Sequence, residues 1–205
     1  MPSFVMPSYM PSRAWMMFWL VALIWGSSFL LIRVGVGEMS ASQVVFIRTT
    51  VAAIGLNVVL FLRGKRLPTD RVVWRNMIIV GIGNGMVPYL LLALGEQFVP
   101  SNVTSILQST TALFAMVFAH FMIHDERMTI PHVLGIVLGF VGVVILMSRP
   151  HDNEATTSLT GALCIVGASL SYAFFTSYMR VVTRGKIEPI VIAASSFIVA
   201  AVAGL

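Results

Sequence analysis

A few polar and aromatic side chains stand inside long apolar runs, and their types set the chemistry open to them. Arg48, in Phe46-Ile47-Arg48, carries a planar guanidinium whose forked donors match a carboxylate or a phosphate. It lies about one turn from the end of its run, so anion binding at a cavity mouth and snorkelling toward the surface both account for it. Trp25 is the eleventh of the 22 residues from Trp15 to Val36, too deep for the interfacial belt that explains Trp15, Trp19 and Trp74. With Ser27 and Ser28 beside it, Trp25 fits either a cavity wall or a contact between helices. Asn84 stands among Gly81, Gly83 and Gly85, with Pro88 and Tyr89 one turn on. The glycines suit close helix packing first and a helix broken beside a cavity second, which leaves Asn84 and Tyr89 as polar contacts for a solute. Asn102, Ser105, Gln108 and Ser109 share one arc of a helix of period 3.6, with Thr104 and Thr111 at its edge. A polar arc of that length faces protein or water, not lipid. Tyr172 either faces the same pathway or bonds a neighbouring carbonyl. The candidate binding set is Trp25, Ser28, Arg48, Asn84, Tyr89, Ser105, Gln108, Ser109 and Tyr172.

Catalysis and metal binding find little support. There is no GxSG serine, no HExxH and no aspartate pair within a run, as an intramembrane enzyme would need, and no P-loop for ATP-driven work. The reading is therefore a protein that is not an enzyme, with neither cofactor nor metal. His120 and His124 are four residues apart but have no third ligand, and a single cysteine, Cys164, excludes an internal disulfide. All eight acidic residues lie in or beside connections between the runs, so proton coupling would fall to Glu96, Glu38 or a residue outside this chain.

The elements that must position these side chains follow from composition. Of 205 residues, 58% are apolar and 10% charged, against about 25% charged in a soluble domain. Seven apolar runs are long enough to cross a bilayer: 15–36, 44–62, 77–94, 103–123, 131–148, 159–179 and 189–205. They are apolar all round, which excludes alternating barrel strands. The fold class is all-α, a polytopic helical membrane bundle. Residues 1–14 read as an unstructured lead. The net charge of +5 would suggest nucleic acid in a soluble chain, but here the basic residues sit between the runs and serve membrane orientation. Ten of the thirteen Lys and Arg fall on one side, that of the N-terminus, which the charge bias places in the cytoplasm of a cell-membrane protein.

Shifting the chain by 147 residues lays the sixth and seventh runs on the first and second without a gap, Tyr172 falling on Trp25. Five helices per repeat is an odd number, so the second copy must be inverted, a layout common among secondary transporters. The expected domains are a first five-helix repeat over 15–148 and an incomplete second repeat over 159–205, seven spans of an expected ten. A surface lacking its symmetry partners would need oligomerisation, as a homodimer for instance, to cover it.

The motifs Trp25-Gly26-Ser27-Ser28-Phe29, Phe46-Ile47-Arg48, Ala93-Leu94, Ser109-Thr110-Thr111-Ala112-Leu113-Phe114, Asp125-Glu126-Arg127-Met128-Thr129 and Gly135-Ile136-Val137-Leu138-Gly139-Phe140-Val141-Gly142 together resemble the EamA-type drug/metabolite transporters. The resemblance covers residues 15–205 and implies a ten-helix carrier of small metabolites built from two inverted repeats, here ending within the seventh span. The expected function is secondary transport, export being favoured, of small organic solutes such as amino acids or amphiphilic compounds. The alternative is a membrane accessory or scaffold protein without transport. The expected partners are a small-molecule substrate and the lipid bilayer, with no nucleic acid.

Overall fold

The structure, a computed structural model, describes residues 12–123, 128–147, 158–183 and 186–205. Among these residues there are helices and no strands: α1 Ser12–Glu38, α2 Ala41–Leu62, α3 Arg71–Gly95, α4 Ser101–Met122, α5 Ile130–Met147, α6 Leu159–Thr183 and α7 Pro189–Ala203. The helices α1, α2, α3, α4 and α6 are long and apolar enough to cross a membrane, while α5 and α7 are shorter apolar helices. Each of the seven apolar runs has become one helix. The helices overrun the apolar stretches because a spanning helix continues into the interfacial layers. Thus α3 begins at Arg71 where the run begins at Met77, and α1 already starts at Ser12, inside the stretch expected to be an unstructured lead.

Local sequence chemistry fixes the ends. Ser40 opens α2 with a reciprocal capping box: its hydroxyl accepts from the Gln43 amide at 3.3 Å, and its own amide donates to Gln43 Oε1 at 3.0 Å. Gly64 ends α2 with φ +66°, a backbone state that only glycine adopts without strain. The amides of Gly64 and Lys65 then reach back to the Phe61 and Leu60 carbonyls at 2.9 and 3.1 Å, closing a Schellman turn. Asp70 caps α3 by accepting from the Val72 amide at 2.7 Å.

Helix α6 forms the centre. Its buried residues, among them Gly161, Ile165, Ala168, Ser169, Ala173 and Ser177, recur every three or four positions and make a stripe of mostly small residues against α3 and α4. Lipid tails are as apolar as leucine, so close approach across such stripes, not exclusion of water, holds membrane helices together. A Cβ added to Gly95 would lie 2.7 Å from Ile165 Cγ1 and 3.0 Å from the Gly161 carbonyl oxygen, so the α3–α6 crossing requires glycine there. The main apolar cluster gathers Leu92, Val99, Val103, Leu107, Ile165 and Ala168 around that crossing. Helices α2 and α7 form a second close pair, and α1 lies at the rim with most of its apolar side chains facing outward, as lipid contact allows. At the end of the bundle where α2 finishes and α7 begins, Lys65 and Glu188 form an ion pair at 2.5 Å.

Two helices are irregular, both near the polar residues. In α3, residues Gly81–Met86 form a π-helical turn in which the Val87 amide bonds the Ile82 carbonyl, five residues back. The next carbonyl in that register, Gly83, would pair with the nitrogen of Pro88, which carries no proton. The Ser171 hydroxyl of α6 donates to it instead, at 2.6 Å. At Pro88 the helix is widened rather than broken, and a neighbouring helix satisfies the orphaned carbonyl. Helix α4 is interrupted at Ser109, where the Ala112 amide bonds the Ser109 carbonyl in a tighter turn.

A candidate substrate cavity

The irregular part of α3 faces a partly open cavity of about 330 Å³ lined by six helices. From α1 come Trp25, Ser28, Phe29 and Ile32; from α2, Arg48; from α3, Asn84, Tyr89 and Leu92. The far wall consists of Gln108 and Thr111 on α4, Tyr172 and Thr176 on α6, and Phe197 on α7. Seven of the nine side chains expected from the sequence therefore meet here. Ser105 and Ser109 do not: both are exposed, and their hydroxyls donate back to their own helix, to the Asn102 and Ile106 carbonyls at 2.7 and 2.6 Å.

The cavity has an aromatic side and a polar side. The Arg48 guanidinium carbon lies 4.4 Å from the centre of the Tyr89 ring, within the range of a cation–π contact. Tyr89 in turn meets the Tyr172 ring edge to face at 6.0 Å and the Phe197 ring at 6.2 Å. This cluster holds the guanidinium inside the bundle, on a ring that itself lines the cavity. On the polar side, Thr176 donates to Asn84 Oδ1 at 3.1 Å, and Ser169 donates to Gln108 Oε1 at 3.1 Å. Both amide oxygens are thus tied to α6. The Thr111 hydroxyl lines the cavity, is buried, and has no hydrogen-bond partner among the described residues.

Above Arg48, at the end where α1 gives way to α2, lies Glu96, one residue past the end of α3 and outside the spans. It is fully buried, and neither carboxyl oxygen has a hydrogen-bond partner among the described residues. Arg33 of α1 donates to the backbone carbonyl of Glu96 and leaves the carboxyl alone. Burial pushes that carboxyl up to about 8, against the opposing pull of the Arg33 and Arg48 guanidiniums.

Thr176 and Phe197 carry no sequence signal as strong as that of Arg48 or Asn84. Thr176 lies one turn after Tyr172 and was accessible by the helical period, whereas Phe197 is one aromatic among many in an apolar run. Of the histidine pair, His120 accepts from the Met128 amide at 3.0 Å, and His124 lies outside the described residues. The described residues contain no group of three or more metal-binding side chains.

Comparison with known proteins places these features in a family context. Residues 13–148 match the EamA-like transporter family. Among curated proteins, the uncharacterized transporter YoaV of Bacillus subtilis is 30% identical over 152 residues, covering 74% of this chain and 52% of its own. The uncharacterized inner membrane transporter YedA of Escherichia coli K12 is 30% identical over 161 residues, 76% of this chain and 49% of its own. A probable terminal-alkyne amino-acid exporter of Streptantibioticus cattleyicolor is 28% identical over 158 residues, 77% of this chain and 52% of its own. The chain spans about half the length of these relatives. No solved structure matches.

Proposed function

The chain belongs to the EamA-like transporter family, a family of multi-pass membrane proteins, and from that premise we propose that it carries small amphipathic organic solutes with an anionic group, outward from the cell, through the cavity around Arg48. The observation that carries this reading is the Arg48 guanidinium resting on Tyr89 in the cavity wall, one positive group among aromatic rings and amides. A carboxylate or phosphate would take the forked donors, while an apolar or aromatic portion would lie against Trp25, Tyr172 and Phe197. Amino acids and their relatives lead the class, a choice supported by the relative named as an amino-acid exporter.

The orientation follows from the charge bias: the N-terminus and the loop holding Lys65 face the cytoplasm, and Glu96 faces outward. Helices α6 and α7 act as inverted counterparts of α1 and α2, with the cavity between the two sets, where carriers of inverted repeats hold their substrates. The test is a flux screen. Cells expressing the protein are loaded with amino acids, aromatic acids and organic phosphates, and efflux is compared with that of empty-vector cells. Faster efflux of an anionic amphipathic solute, lost in Arg48→Gln, supports the reading. Flux equal to the control for every solute assigns the protein to an accessory role without transport.

A further inference from the structure

We propose that Glu96 is a proton-binding site that controls the charge presented by Arg48 to the cavity. The inference rests on the transport reading for the identity of the ligand of Arg48, but not for the proton site itself. A carboxyl that is fully buried, with neither oxygen having a hydrogen-bond partner among the described residues, is costly to ionise and is held as the neutral acid unless cations compensate it. Two cations stand near, and neither is committed to it by a hydrogen bond. Arg33 of α1 bonds the backbone carbonyl of Glu96, and Arg48 of α2 rests on Tyr89. The other helices packed around the Glu96 turn bring no charged side chain near it: Tyr89 on α3 and Cys164 and Tyr172 on α6 are the titratable groups of their nearer halves, Arg71 and Arg75 of α3 and Tyr178 and Arg180 of α6 belong to the opposite ends of those helices, and residues 101–108 of α4 contain none.

The chemistry is a proton transfer alone. A hydrated proton from the adjoining aqueous side forms an O–H bond on one carboxyl oxygen of Glu96, removes its negative charge and leaves water behind. The field of Arg48 is then free for the anionic group of a solute. Loss of the proton restores the carboxylate, which competes with that group for the same guanidinium. Proton and anionic solute thus favour one another at neighbouring positions, and the coupling is reciprocal.

The site can be read without a known substrate. The chain is placed in lipid nanodiscs with its five glutamates carboxyl-labelled with carbon-13, and infrared difference spectra are taken from about pH 6 to about pH 10. The expected result is a labelled, neutral carboxyl band at neutral pH that disappears in the alkaline range and is missing from Glu96→Gln. In Arg48→Gln, which withdraws a stabilising positive charge, the same band should persist to higher pH. A chain carrying Gln at Glu38, Glu126, Glu154 and Glu188 isolates the Glu96 signal should Glu96→Gln fail to fold. As a cavity readout, the fluorescence of Trp25, left as sole tryptophan by Phe at Trp15, Trp19 and Trp74, should change over the same pH range and lose that change in Glu96→Gln. No neutral glutamic acid at neutral pH, or a midpoint unmoved by Arg48→Gln, overturns the proposal. Absence of flux for every solute would overturn the transport reading and leave a titration of Glu96 coupled to Arg48 intact.

Discussion

Replacing Arg48 by Lys separates recognition from mere charge. Lysine keeps a cation on a long stem that can still reach the Tyr89 ring, 4.4 Å from the present guanidinium carbon, but it replaces a planar fork by a point charge. Two losses follow. Stacking of the flat guanidinium on the ring, worth about 0.5 to 2 kcal/mol depending on how dry the cavity is, weakens in part. One arm of a two-pronged contact to a carboxylate, a charge-assisted bond worth about 1.5 to 3 kcal/mol, disappears. The lost arm alone, about 1.5 to 3 kcal/mol, should lower transport efficiency roughly 10- to 150-fold, with membrane abundance unchanged and the weakened stacking adding to the loss. Initial efflux rates of the solute found by the flux screen, normalised to protein in the membrane, give the number. Tyr89→Phe, which keeps the ring, should stay near wild type, while Tyr89→Leu should resemble Arg48→Lys. Efflux by Arg48→Lys within about twofold of wild type would refute the reasoning and make Arg48 a residue of the membrane interface.

Further outcomes follow from the same structure. In a Cys164-free background, cysteines placed at Lys65 and Arg184 should react with membrane-impermeant reagents only from the cytoplasmic side; labelling from outside would reverse the orientation. Gly83→Ala drives a methyl into the Phe175 ring, so melting in detergent should show a loss of about 1 to 3 kcal/mol, recovered in large part by adding Phe175→Leu. Ser171→Ala leaves the Gly83 carbonyl without its donor and should destabilise by about 1 to 2 kcal/mol, whereas Ser105→Ala should be neutral. Because Glu96 is raised from 4.5 to about 8, the folded chain holds a proton that the unfolded chain releases. Stability should therefore fall as pH rises through that window, and Glu96→Gln should flatten this part of the profile.

Much of this was legible in the residues. The seven helices follow from run length, because burial in lipid demands continuous apolar stretches and their breaks are abrupt. The cavity residues were found where a polar or large aromatic group stood inside such a stretch, since lipid rejects the one and an interfacial belt cannot hold the other at depth. What failed was phase. Ser105 and Ser109 were grouped with Gln108 on one ideal wheel, but it is the ridge of Gln108 and Thr111 that meets the cavity, in a helix interrupted at Ser109. Glu96 stood in the sequence as an acid beside a connection, one of the residues to which proton coupling would fall, with nothing to mark it as buried. It is buried at a turn where α1 bonds its backbone and α6 packs on Gly95, a tertiary fact that no local pattern encodes. The glycines of α3 were read as packing residues, and Gly81 and Gly85 do pack against α7. The wide turn that contains them was foreshadowed only by Pro88.

That turn has a consequence for how α3 can change over time. A helix advances by about 100° per residue, so the extra residue accommodated between Gly81 and Met86 acts as a phase shifter between two rotors. The half from Arg71 to Val80 and the half from Val87 to Gly95 can each keep its own neighbours because the turn absorbs the mismatch in their rotational settings. Deleting one residue here would close the turn into an ordinary helix and swing Tyr89 away from Arg48 while leaving every apolar side chain in the segment intact. Composition would record almost no change, and the binding face would be lost. Length, more than residue type, is the conserved quantity to expect in this stretch, and alignments of relatives should show substitutions there more readily than gaps.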